Sequence, residues 1–279
     1  MQIKGNTFIV TGGASGLGEA TVRELVARGA NVAVSTPVDE QYFTLANVQN
    51  KKIFDLNQEG AEEVAQSLGS SAFAAGKVDV TSEEAVRVAL EKTVAKFGRI
   101  AGVVSAGGVA SAAKTARRGK SAHTMTLDLF EFTVKVNLIG TFNVCKQVAQ
   151  VMANQDAYNE DGERGVIINT ASVAYQDGQP GQVAYSASKA GVVGMALPMA
   201  RDLAPAGIRV MTIAPGIFET NMTAVMPDVA KQKIIKDSVF PARMGFPHEY
   251  AMLVCHIIEN GMLNAEVIRI DNGSRLGKL

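Results

Sequence analysis

The sequence is short of the residues that most often carry metal or thiol chemistry: two cysteines, Cys145 and Cys255, and three scattered histidines, His123, His248 and His256, in 279 residues. No cysteine and histidine cluster reaches metal-ligand spacing, so structural zinc and cysteine redox work are not expected, no metal is assigned, and a reducing compartment follows. Excess charge is missing too. With 27 basic against 27 acidic residues and 19% charged, the chain is not built to coat nucleic acid, and 47% hydrophobic residues exclude a disordered polymer. No apolar run approaches the roughly 18 residues of a membrane span. Met1-Gln-Ile-Lys-Gly5 leads almost directly into a strand-like Thr7–Val10, which leaves no room for a classical cleavable leader. A single domain of this length buries roughly 75% of its unfolded surface and needs no disulfide or metal for a core.

Glycine, by contrast, is plentiful at 27 residues. From the start, apolar runs of strand length alternate with amphipathic stretches of helix length, the pattern of βαβ units. Strands are expected at Thr7–Val10, Ala72–Val78, Gly102–Ser105, Gly165–Asn169, Arg209–Ile213 and Glu266–Ile270. Helices are expected at Glu19–Arg28, Glu59–Leu68, Ser82–Phe97, Leu127–Asn154, Tyr185–Leu203 and Tyr250–Asn260. With right-handed crossovers this is an α/β fold, a doubly wound parallel sheet in a single domain, with its ligand at the carboxyl ends of the strands. Two stretches resist the pattern: Ser35–Lys52, and Lys114–His123 with its Lys114, Arg117, Arg118 and Lys120.

Thr11-Gly-Gly-Ala-Ser-Gly-Leu-Gly18 follows a strand and opens a helix. Gly12, Gly16 and Gly18, with Ser15 and Leu17 between them, let the backbone turn sharply and approach a pyrophosphate, which then meets the positive end of a helix. A glycine-rich turn alone is a weak motif; after the first strand it points to a dinucleotide. The acid for the adenosine ribose should end the second strand, and two registers compete. Asn31-Val-Ala-Val34 ends in Ser35-Thr36 without a carboxylate, whereas Lys52-Ile-Phe-Asp-Leu56 places Asp55 after a strand-like run and is favoured here. Neither register supplies an arginine for a 2′-phosphate, so the expected cofactor is NAD.

Tyr185-Ser-Ala-Ser-Lys189 sets a phenol and an ammonium on one helix face, where the Lys189 charge should lower the Tyr185 pKa toward neutrality for proton exchange with an alcohol or carbonyl. That pair is common on solvated helices. Ser172, at the end of a strand thirteen residues upstream, Asn137 in Val136-Asn-Leu-Ile-Gly140, and Pro215-Gly216 after a strand raise its weight. Together with the glycine loop, this set resembles the classical short-chain dehydrogenase/reductase family over nearly the whole chain. The resemblance implies a Rossmann-type fold and a catalytic tetrad. In it Ser172 orients the substrate oxygen, Tyr185 is the acid and base, Lys189 also binds the nicotinamide ribose, and Asn137 anchors a proton-relay water. It also implies that Asp79-Val80-Thr81 touches adenine and that Thr220 meets the nicotinamide carboxamide.

Further segments, Lys114-Thr115, Gly140–Val144, Arg164–Val173, Arg201–Pro205 and Ile208–Gly216, resemble a branch of the family that uses NAD to oxidise 3-hydroxyacyl-CoA and some steroid alcohols. This implies a small-molecule substrate, a homotetramer built on the apolar faces of Leu127–Asn154 and Tyr185–Leu203, and a mitochondrial matrix location, with the cytoplasm as the alternative. The basic run Lys114–Lys120 reads either as a solvated loop or as an attractor for CoA phosphates. Residues 217–245 are expected to form a substrate lid, its Met222, Val225, Met226, Ile234, Ile235 and Val239 suiting an adaptable apolar pocket or, equally, a core helix. Two departures stand out. Ser105 occupies the place of the family's sheet-bracing asparagine, so weaker support for the central sheet is expected. The stretch 35–52 is an insertion beside the adenosine pocket if Asp55 is the ribose acid. A cofactor-binding scaffold with reduced turnover is the reading from another class; the intact Ser172, Tyr185 and Lys189 argue against it.

Overall fold

The computed structural model describes residues 1–36, 58–119, 124–224, 226, 228–275 and 277. Seven parallel strands form one sheet: β1 (Thr7–Thr11), β2 (Asn31–Thr36), β3 (Ala72–Lys77), β4 (Gly102–Ser105), β5 (Gly165–Thr170), β6 (Ile208–Pro215) and β7 (Val267–Ile270), in the order β3-β2-β1-β4-β5-β6-β7. The central strands β1, β4, β5 and β6 are buried at every position, because helices cover both faces, and this explains their continuous apolar runs.

One face carries α1 (Gly16–Ala27), α2 (Gln58–Ser67) and α10 (Pro247–Glu259), whose Val22, Leu25, Val64, Tyr250 and Val254 close over Phe8, Val10, Val34 and Ile168. The other carries α3 (Glu83–Phe97), α4 (Leu127–Val134), α5 (Thr141–Ala153) and α7 (Val183–Leu203), packed on Ile9, Ala33, Val103 and Ile167. Local signals set the helix starts. The Ser82 hydroxyl accepts the Ala85 N–H at 3.2 Å to open α3, and Thr126 accepts that of Leu129 at 3.3 Å to open α4.

The structure corrects the second strand. β2 is Asn31–Thr36, paired with β1 from Thr7↔Asn31 to Thr11↔Ser35 and with β3 on its other side, so the first of the two registers forms the second strand, while Lys52–Leu56 lies outside the described residues. Ser35 and Thr36 therefore belong to the strand rather than to an insertion, and 37–52 lies outside the described residues. The run expected as one helix over Leu127–Asn154 is interrupted by a π-helical turn, Lys135–Gly140, between α4 and α5. Three further helices follow β5 and β6 in the chain: α6 (Ala174–Asp177), α8 (Asn221–Ala224) and α9 (Asp228–Lys236).

Candidate active site

The order of the sheet reverses direction between β1 and β4, which places a crevice above their carboxyl ends. The glycine loop lies there, and its glycines are required by contact. A Cβ on Gly12, whose φ is +69°, would lie 2.6 Å from the Cα of Gly107 after β4. One on Gly18 would overlap the carbonyl oxygen of Gly12, and one on Gly16 would come within 3.2 Å of the Thr220 methyl beyond β6. Three strand ends thus meet around a backbone cradle at the start of α1, with Ser15 in extended conformation as its N-cap and Leu17 in the first turn. A pyrophosphate fits this donor set, since close backbone approach and a helix N-terminus coincide.

Asp79 and Val80 follow β3 on the same side of the sheet. Asp79 Oδ1 accepts the Thr81 N–H and hydroxyl, each at 2.8 Å, and the Val80 carbonyl is held by Asn143 of α5 at 2.8 Å. Pro215 ends β6, and Thr220 is set by Thr223, whose hydroxyl accepts its N–H at 3.0 Å. Asp55 lies outside the described residues, so nothing in the structure joins it to this group.

Ser172, Tyr185, Lys189 and Asn137 gather at the end of β5. The Ser172 hydroxyl accepts the Ala174 N–H at 3.1 Å and bonds the Tyr185 phenol. Lys189, buried in α7, donates to the Thr170 carbonyl at 2.8 Å, and burial lowers its pKa to about 8. Asn137 sits in the π-turn and is fully buried. Its amide oxygen accepts the Val109 N–H at 2.8 Å, and its nitrogen donates to the Val109 carbonyl at 2.9 Å and to Ser188 Oγ at 3.1 Å. π-turns recur at functional sites because the extra residue re-aims one side chain.

The electrostatics differ from the expectation drawn from spacing. Burial pushes the Tyr185 phenol up, and the opposing influence is the Ser172 hydrogen bond rather than the Lys189 charge. The Lys189 ammonium lies 5.8 Å from the Tyr185 ring centroid and spends its hydrogen bond on Thr170. The i,i+4 spacing fixed the shared face but not the partner.

Sequence reasoning missed three supports of this site. Ser188 braces Asn137; it stood inside the Tyr185–Lys189 motif and could have been found there. Thr170, whose carbonyl holds Lys189, is pinned from the other face by the Tyr250 phenol at 2.6 Å, and no local signal marks that pair. Asp177 and Arg269, joined across 92 residues of sequence, brace the turn that bears Ser172.

Residues 43–230 match the family model for short chain dehydrogenase. The chain belongs to that family, and it is an NAD-dependent oxidoreductase. Across 277 residues it is 48% identical to 3-hydroxyacyl-CoA dehydrogenase type-2 of Bos taurus, covering 99% of this chain and 97% of that protein. It is 34% identical over 280 residues to ipsdienol dehydrogenase of Ips pini, with 99% of each covered. The crystal structure of 3-hydroxyacyl-CoA dehydrogenase type-2 from Mycobacterium avium superposes with a TM-score of 0.86 at 37% identity, covering 99% of this chain and 98% of that one.

Among the described residues no helix is long and apolar enough to cross a membrane, and no cluster of three or more His, Cys, Asp or Glu residues is arranged to hold a metal.

Proposed function

We propose that the chain interconverts 3-hydroxyacyl-CoA and 3-oxoacyl-CoA with NAD. The observation that carries the reading is the convergence of Ser172, Tyr185 and Lys189 beside the glycine cradle at one end of the sheet. The substrate class is supported by the name of the relative that shares 48% identity. Gly12, Ser15, Gly16, Leu17 and Gly18 take the pyrophosphate, Asp79 and Val80 the adenine edge, and Pro215 and Thr220 the nicotinamide end. NAD, when bound, supplies the hydride acceptor.

Ser172 holds the 3-hydroxyl oxygen while Tyr185, as phenolate, takes its proton, the C3 hydrogen leaving as hydride so that the carbon becomes a ketone. Lys189, held by Thr170, fixes the nicotinamide ribose. Asn137, braced by Val109 and Ser188, anchors the water that returns the proton to solvent. Because burial holds Tyr185 protonated, oxidation gains rate with rising pH and reduction loses it.

Residues 217–245 form the lid. Their ends are already joined, since Gly245 donates to Ile217 O and accepts from Glu219 N, both at 2.9 Å. The exposed Lys114, Arg117 and Arg118 attract the CoA phosphates. Their segment borders the site, for Ala113 donates to the Gly181 carbonyl at 2.9 Å, four residues before Tyr185. The half-exposed Ile139 and Phe142, with Val183 and Leu197 of α7, provide the apolar faces of a homotetramer. The matrix of mitochondria is the proposed location.

The test is NADH formation from 3-hydroxybutyryl-CoA by the wild type and Tyr185→Phe. The variant should lose turnover by roughly 10²–10⁴-fold and keep NAD affinity. Full activity in Tyr185→Phe sinks the assignment.

A further inference from the structure

α6, the helix that follows Ser172, is four residues long, too short to hold a shape by its own hydrogen bonds. Its position is imposed from two sides. Gly178 abuts Ser186 of α7, beside Tyr185, so closely that a Cβ would collide with the hydroxyl. From the opposite side Asp177 is held by Arg269 of β7, whose Nη2 lies 2.6 Å from Oδ2, while Nη1 reaches Gln176 Oε1 at 3.1 Å. The same guanidinium donates to Asp271 Oδ2 at 2.8 Å and to the Ser274 carbonyl at 3.0 Å. This cluster is shielded from solvent: the Arg269, Asp177 and Asp271 side chains are 14%, 13% and 7% exposed. Water therefore screens it little, and the planar fork fixes direction as well as distance.

The turn that receives Arg269 also grips the other side of the mouth. The Asn272 carbonyl accepts the Val239 N–H at 2.9 Å and the Phe240 N–H at 3.2 Å, and its side chain donates to the Arg243 carbonyl at 2.6 Å. Asn272 adopts φ +57°, a left-handed conformation that asparagine tolerates better than most residues. One C-terminal turn thus joins the Ser172 segment to the segment 217–245.

We propose that Asp177 and Arg269 are positioning residues: they set the distance between Ser172 and Tyr185 by locking α6 to the C-terminal turn. The inference rests on Ser172 orienting the substrate oxygen. Neither residue touches the reacting atoms; both act through α6, whose start is tied to β6 by the Val173 N–H on the Pro215 carbonyl at 3.0 Å and whose far end is tied to β7 by the Asp177–Arg269 pair.

The experiment is steady-state kinetics of the full chain with NAD and 3-hydroxybutyryl-CoA, for the wild type, Asp177→Asn, Ser172→Ala and the double variant, with Tm measured on each. Asp177→Asn should lower kcat roughly tenfold with the KM for NAD unchanged, since a misplaced reacting group costs rate rather than cofactor affinity. On the Ser172→Ala background the same change should cost nothing further, because the group it positions is gone. Arg269→Lys, which keeps the charge and loses the fork, should give the same split. Glu163→Gln is the control. It breaks another buried pair, with Arg209 at 2.8 Å at the amino end of β6, and should lower Tm while leaving kcat unchanged. An unchanged kcat in Asp177→Asn, a loss that adds in full to Ser172→Ala, or an equal loss in Glu163→Gln overturns the inference while leaving the reaction assigned. A wild type that forms no NADH overturns the reaction, and the positioning role with it.

Discussion

Lys189 is a charge held where charge is disfavoured, and that has a measurable thermodynamic consequence. Burial lowers its pKa from 10.5 to about 8, so the folded chain binds its proton less tightly than the unfolded chain does. Below pH 8 both states are protonated and the folded one bears the full penalty, roughly 3 kcal/mol at 1.36 kcal/mol per pH unit. Between pH 8 and 10.5 the unfolded chain holds more protons, so the contribution of this residue to stability rises with pH and the penalty is relieved. From pH 7 to 9 the relief is about 1 kcal/mol, equivalent to roughly 2–4 °C in Tm for a chain of this size. The neutral amine still donates to Thr170, so the hydrogen bond is not what changes. Other groups titrate in the same range, and subtraction removes them. Urea denaturation of the wild type and of Lys189→Met, each at about pH 7, 8, 9 and 10, gives the difference in unfolding free energy at each pH. Stability of the wild type relative to Lys189→Met should climb across that range. A difference that stays flat or falls with rising pH refutes the claim that burial suppresses the Lys189 charge.

Three shorter tests address other parts of the molecule. Gly18→Ala places a methyl on the Gly12 carbonyl, 2.6 Å from its carbon, and neither backbone can yield without opening the cradle; NAD affinity measured by calorimetry should fall by roughly ten- to a hundredfold, the ~1–3 kcal/mol typical of an overpacked position, and unchanged binding would remove the loop from the site. Thr212→Val removes a fully buried hydroxyl that has no partner among the described residues and should stabilise the chain by about 1 kcal/mol in denaturant titration, whereas destabilisation would show the hydroxyl to be satisfied. Reversing Arg117 and Arg118 to Glu should raise the KM for an acyl-CoA several-fold at low salt and lose that effect at high salt, and an unchanged KM returns the basic run to an ordinary solvated loop.

The sheet and most helix limits were legible because strands buried on both faces must be apolar throughout, and helix ends must be capped. Gly102–Ser105 is predicted to the residue, and β1, β3, β5, β6 and β7 to within two at either end. β2 was misread for a physical reason. Asn31-Val-Ala-Val34 carries the apolar pattern of a buried strand but no carboxylate, whereas Lys52–Leu56 carries a carboxylate, and burial rather than charge decides which run pairs in the sheet. The π-turn left no trace in composition, because it is a shift of hydrogen-bond partner by one residue. In the site, residue types and faces were legible at Ser172, Tyr185, Lys189 and Asn137. Their electrostatics were not, because the Thr170 carbonyl that takes the Lys189 proton donor lies on another element.

Ser105 shows how a departure from the family pattern can be confined. Strand register sets Ser35, Thr11, Ser105, Asn169 and Thr212 side by side across the sheet, all buried. At the centre of this polar row the Cys145 thiol donates to Asn169 Oδ1 at 3.2 Å, and Ser105 lies 3.9 Å from its sulfur, a weak contact. Asn169 Nδ2 and Thr212 Oγ1 have no partner among the described residues. The row is confined to one face of the sheet. One residue further along β5, Thr170 faces the opposite layer, where Tyr250 holds its hydroxyl, and its carbonyl holds Lys189. Alternation of side chains along a strand separates the two positions onto different faces. A change at Ser105 should therefore alter the stability of the sheet without moving the group that holds Lys189, read as a shifted Tm with an unchanged KM for NAD in Ser105→Asn.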